Sequence, residues 1–122
     1  MAQFSIAENR EVAPVERALL EWLISNGEAE ARTFLYQLDT VRVVARCGCG
    51  CPTVNLATEG DKTPLMGPSQ ILADFLGSTK EGVQVGVILH ARQGKLSELE
   101  VYSLAGTEGP FSLPDVETLK PL

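Results

Sequence analysis

A chain of 122 residues with 44% hydrophobic and 21% charged side chains has the balance of one folded domain and is too short for two ordinary ones. Its net charge of −6 argues against nucleic acid or an anionic membrane surface as partner. Glu, Arg, Gln or Ser interrupts every apolar run before it reaches membrane-spanning length, and Met1-Ala2-Gln3-Phe4-Ser5 lacks the basic start of a signal peptide, so the expectation is a cytoplasmic protein.

Residues 1–12 show no sustained period and read as an arm. Pro14 suits the first position of a helix, where its missing N–H has no partner to lose. Val15, Ala18, Leu19, Trp22 and Leu23 then repeat as one buried stripe, predicting a helix over 14–26. Gly27 fits the left-handed residue just past its end. A second helix is expected over 28–38, with Ala31, Phe34, Leu35 and Leu38 on one side and Glu28 and Glu30 at its positive end.

From residue 40 the period changes to two. Val41, Val43 and Ala45 alternate with Arg42, Val44 and Arg46, and Val54 and Leu56 alternate with Thr53 and Asn55. Val83, Val85, Val87 and Leu89 form a further strand, followed by one carrying Leu99 and Val101. A three-residue Arg92-Gln93-Gly94 loop sets Val87 against Leu99 and Val85 against Val101, whereas a two-residue turn sets Leu89 against Glu98. The same logic at Lys80-Glu81-Gly82 pairs Phe75 with Val87 and Ala73 with Leu89, making 70–77 a strand rather than two helical turns. The expected fold is therefore α+β: one domain over 1–122, with two N-terminal helices packed on one face of a mostly antiparallel sheet of about five strands. Pro110, Pro114 and Pro121 make 106–122 an extended tail.

That register places Leu72, Asp74, Leu76, Ile88, His90, Leu96, Glu98, Glu100 and Tyr102 on the outer face of the sheet. The mixture of aliphatic and acidic side chains fits two readings. Either a loop or the tail covers the face, through Phe111 and Leu113, or the face is a contact surface for another protein or a second copy. Arg42 and Arg46 point to one side and would lessen the acidity of that face if their strand lay adjacent. Asp74, His90 and Glu98 form only a weak acid–base signal, since no Ser or Cys nucleophile falls beside the histidine.

Arg46-Cys47-Gly48-Cys49-Gly50-Cys51-Pro52 holds all three cysteines, so neither a paired-knuckle zinc site nor a disulfide framework is available. In an extended chain, thiols two residues apart point the same way with Cα atoms roughly 6.5–7 Å apart. The loop must curl to gather Cys47, Cys49 and Cys51 about a metal, with His90 as a fourth ligand. The glycines permit that curl and Arg46 favours a thiolate. The simpler reading is a tight connection in which Cys fills space as a small apolar side chain.

The cysteine loop, Gly86-Val87-Ile88-Leu89-His90 and Leu96-Ser97-Glu98-Leu99-Glu100-Val101-Tyr102-Ser103-Leu104, with Leu113-Pro114 beyond, together resemble small uncharacterised bacterial proteins with a Cys-Gly-Cys-rich loop and a final Leu-Glu-Val-Tyr-type strand. The resemblance covers about half the chain and implies a bacterial origin but no catalytic residues. The last strand is also similar to strands of small acidic immunity proteins. With no phosphate loop and no basic aromatic patch, the leading expectation is a non-catalytic interaction domain, immunity-protein-like, binding a protein partner or a second copy through Leu72, Asp74, Leu76, Ile88, Leu96, Glu98, Glu100 and Tyr102. It needs no cofactor. The alternative is a thiol-dependent metal-binding or redox protein holding zinc or copper at Cys47, Cys49, Cys51 and His90.

Overall fold

A computed structural model describes residues 5–107 and 110–121. It contains β1 (Ser5–Glu11), α1 (Pro14–Asn26), a 3-10 helix (Ala29–Asp39), β2 (Arg42–Cys47), β3 (Val54–Ala57), β4 (Gln70–Ser78), β5 (Gln84–Arg92), β6 (Lys95–Ser103), a 3-10 turn (Val116–Thr118) and β7 (Lys120–Pro121). The strands form one antiparallel sheet in the order β1-β2-β3-β6-β5-β4-β7. The sheet thus has seven strands, not about five. The helices are not N-terminal, because the expected arm supplies β1, which pairs with β2 and precedes them.

Alternation explains why β1 was missed. Its side chains are alternately exposed and half-buried, and the alternating residues are mostly polar, so the period is present without the hydrophobic contrast that reveals it. A clamp ties this edge to α1. Arg10 donates from Nη1 and Nη2 to the two carboxylate oxygens of Glu16 at 2.8 and 2.9 Å, and Glu16 also accepts the Ala13 N–H at 2.8 Å. Burial disfavours the Glu16 carboxylate, but Arg10 and the Ala13 amide outweigh it and hold its pKa below the ordinary value.

The buried face of α1 is rotated by about one residue from the expected stripe. Glu16, Leu19, Leu20, Leu23 and Ile24 are buried, whereas Val15 is 67% exposed. Trp22 is half-buried and meets the Phe75 ring edge-on at 4.9 Å. The second helix is 3-10 rather than α. Its buried Ala31, Phe34 and Gln37 lie three apart, the period of a 3-10 turn, which sends Leu35 into solvent at 50% exposure. Gly27 is extended, not left-handed (φ −84°, ψ −153°). Glycine is required there by close approach: a Cβ would overlap the carbonyl oxygens of Leu72 and Leu23.

The β4–β5 register matches the expectation, with Phe75 opposite Val87 and Ala73 opposite Leu89. At β5–β6 the turn is instead the two-residue Gln93-Gly94, both with positive φ (55° and 75°), flanked by Arg92 opposite Lys95. A bulge between His90 and Ala91 then restores the core face, so Val87 opposes Val101 and Leu89 opposes Leu99. Gln37 secures this bulge from the core side: its Oε1 accepts the Leu96 N–H at 2.8 Å and its Nε2 donates to the Gly94 carbonyl at 2.9 Å.

The core unites Leu20, Leu23 and Ile24 of α1 with Phe34 and the inward residues of β2 to β6. Phe111, Leu113, Val116 and Leu119 of the tail pack against this same cluster. The tail therefore completes the core and does not cover the outer face through Phe111 and Leu113. No helix among the described residues is long and apolar enough to cross a membrane.

Candidate functional site

The β2–β3 hairpin curls as a three-thiol site requires. Cys47 ends β2, its N–H bonds the Thr53 carbonyl at 3.2 Å, and Gly50 turns the chain at φ +94°. The Cys47, Cys49 and Cys51 sulfurs all lie within 4.8 Å of one another, with Cys47 and Cys49 Sγ 2.8 Å apart. Backbone amides point into the cluster: Cys49 N–H donates to Cys47 Sγ at 3.4 Å and Cys51 N–H to Cys49 Sγ at 3.3 Å. Cys49 is exposed and its two neighbours are half-buried.

The cluster separates the protonation of its thiols. Burial, then the hydrogen bond with Cys49, pushes the Cys47 thiol up. Burial also opposes the Cys49 thiolate, but the bonds from Cys47, Cys51 and the Cys51 amide outweigh it and lower its pKa. Hydrogen-bond donors aimed at sulfur stabilise negative charge there, which a metal ligand needs.

His90 does not belong to this group. Its Nε2 bonds Glu100 at 2.8 Å and its Nδ1 bonds Ser69 at 3.0 Å, and it clusters with Glu98 and Glu100 on the outer face. The expected set of three cysteines plus His90 is thereby reduced to the cysteines.

The expected interaction surface is also smaller. Leu72 and Leu96 are both 0% exposed in the core, each beside a register shift that turns it inward. The remaining residues form rows across the strands: Leu76, Gly86 and Tyr102; then Asp74, Ile88 and Glu100; then His90 and Glu98. Tyr102 lies over Gly86, where a Cβ would overlap its ring. Asp74 keeps one carboxylate oxygen buried without a hydrogen-bond partner. Arg92 pairs with Glu98 at 3.3 Å. Arg42 and Arg46 do not neutralise this face: a bulge at Val44 puts them out of phase, and they bond Asn9 and Glu8 of β1.

Two polar residues were missed. Ser69 comes onto the histidine's face only because the register shift between Ile71 and Ala73 moves the start of β4 by one residue. Gln37 was masked by its polarity inside an amphipathic pattern; burial at a three-residue spacing is the signal that exposes it. No family model, curated protein or solved structure matches the chain.

Proposed function

We propose that the protein binds a thiophilic metal ion, zinc or copper(I), through Cys47, Cys49 and Cys51. The convergence of three sulfurs within 4.8 Å on one hairpin carries this reading. Soft thiolates favour these ions over magnesium or calcium, which prefer oxygen. In a zinc tetrahedron with Zn–S near 2.3 Å, neighbouring sulfurs stand about 3.8 Å apart, between the 2.8 Å of the Cys47–Cys49 pair and the 4.8 Å within which all three sulfurs lie. Three sulfurs leave a tetrahedral ion one position open, as in exchangeable or catalytic sites rather than closed structural ones. Thiolate ligands also need a reducing compartment, which fits a cytoplasmic protein.

The test is titration of the reduced protein with zinc and with copper(I), read by native mass spectrometry. One ion per chain is expected, and changing Cys47, Cys49 or Cys51 singly to Ser should sharply reduce occupancy, because each loss opens the coordination shell. Reduced protein that takes up neither ion, or three single variants that retain it fully, overturns the reading.

A second reading, contact with a basic protein, is favoured by one observation. Ile88 and Leu76 are half-buried beside Asp74 and Glu100 on the face opposite the tail and helices. Apolar atoms would provide burial there and the carboxylates would steer the partner. Ile88→Lys should abolish partner capture or self-association while preserving the fold.

A further inference from the structure

Ser69, His90 and Glu100 come from three neighbouring segments of the sheet and form one hydrogen-bonded chain. His90 stands on β5, with Ser69 Oγ 3.0 Å from its Nδ1 and Glu100 Oε1 2.8 Å from its Nε2. Each partner lies diagonal to the histidine. Ile71 opposes His90 on one side, with Ser69 two residues before it on the same face; Glu98 opposes it on the other, with Glu100 two residues after.

Hydrogen-bond chemistry orders the chain. An ionised carboxylate can only accept, so Nε2 of the neutral ring carries the proton. Nδ1 is then the acceptor and the Ser69 hydroxyl the donor. Hydroxyl to imidazole to carboxylate is the sequence that activates a nucleophile: the ring takes the hydroxyl proton and the carboxylate stabilises the imidazolium. The two ring nitrogens exchange their usual roles, which leaves the proton path intact. Ser69 is exposed and His90 only 9% exposed, so the nucleophile faces solvent while its base is sheltered. Arg92 holds the segment leading to Ser69, donating from Nε to the Gly67 carbonyl at 3.1 Å and from Nη1 to Ser97 and Glu98.

We propose that Ser69, activated by His90, whose ring Glu100 orients, is a nucleophile toward the acyl carbon of neutral or cationic esters. Asp74 and Glu98 share its face and the chain carries a net −6, so anionic substrates are repelled. In the acylation step an Oγ–C bond forms as the hydroxyl proton passes to Nδ1. The C–O bond to the leaving alcohol then breaks, and the alkoxide departs with the electron pair and takes that proton. Water repeats the sequence on the acyl-serine, giving a carboxylic acid and free Ser69.

The test is covalent labelling of the full chain by a neutral fluorophosphonate, in which an Oγ–P bond forms and fluoride leaves, read by intact mass and peptide mapping. Labelling at Ser69 is expected in the unaltered protein and should vanish in Ser69→Ala. Loss of a general base slows such transfers about 100-fold or more, so His90→Gln should slow labelling to that extent, and Glu100→Gln at least tenfold. Circular dichroism checks that each variant is folded; if His90→Gln is not, Glu100→Gln decides. An unaltered protein that is not labelled at Ser69, or folded variants labelled as fast as it, overturns the proposal.

Discussion

Replacing Glu16 by Gln tests the physical account of how β1 is held, because it removes one charge and little volume. The carboxylate receives three hydrogen bonds, two from Arg10 and one from the Ala13 amide, and its side chain is 9% exposed against 40% for Arg10. Breaking a fully buried ion pair costs about 3–5 kcal/mol. The exposure of Arg10 screens part of that, so about 2 kcal/mol is expected here. At this chain length such a loss lowers the melting temperature by about 6–10 °C. The sign with pH follows from linkage. The folded-state pKa of Glu16 is depressed, so its contribution is present above the unfolded value of about 4.3 and disappears as pH falls through the folded value. Urea denaturation of both proteins at pH 7 and pH 3 reads the two effects together. The variant should be less stable at pH 7, with the gap narrowing in acid, and amide exchange in Ser5–Glu11 should quicken. A difference under about 0.5 kcal/mol at pH 7, the range of an ordinary surface change, would refute the clamp, as would a gap that persists unchanged in acid.

Gly86→Ala should destabilise by about 1 kcal/mol, since a Cβ there overlaps the tip of the Tyr102 ring, which is 37% exposed and can swing aside. Adding Tyr102→Ala should recover much of that loss, which a double-mutant cycle by thermal denaturation measures. Leu96→Lys should unfold the protein, because Leu96 is 0% exposed and a lysine ammonium finds no water there, whereas half-exposed Ile88→Lys should keep a cooperative melt. Similar melting behaviour for those two lysine variants would show that the assignment of faces is wrong.

The sequence carried the faces of the central strands better than their partners. Val85, Val87, Leu89, Leu99 and Val101 are all in the core as their alternation requires. Yet Val87 opposes Val101 and not Leu99, because a two-residue turn plus a bulge leaves the same residues inward as a three-residue loop does. Parity is written in the hydrophobic pattern; the count of residues between facing pairs is not. Helix type was illegible for a related reason, since a short segment with apolar residues at three- and four-residue spacings fits both helical periods until neighbours select one. Of the candidate site, the cysteine cluster was legible as an unusual string, but the position of His90 depended on strand order, which no local pattern contains.

The register shifts tie these corrections to one cause. A strict alternation over β4 and β6 would hold Leu72 and Leu96 on the outer face beside carboxylates, at a cost in exposed apolar surface. The shift between Ile71 and Ala73 turns Leu72 inward and frees its carbonyl to accept the Glu28 N–H at 2.8 Å, docking the 3-10 helix onto β4. The shift beyond His90 turns Leu96 inward and presents its N–H to Gln37, on the same helix. Both bulges thus attach one helix to the sheet, and on the opposite face they set Ser69 and Glu98 around His90. Gln37→Leu keeps the volume but leaves the Leu96 N–H without its buried partner, and should cost about 1–3 kcal/mol in urea denaturation. If it costs under about 0.5 kcal/mol, the range of an ordinary surface change, the bulge is a passive irregularity and the packing of the 3-10 helix does not depend on it.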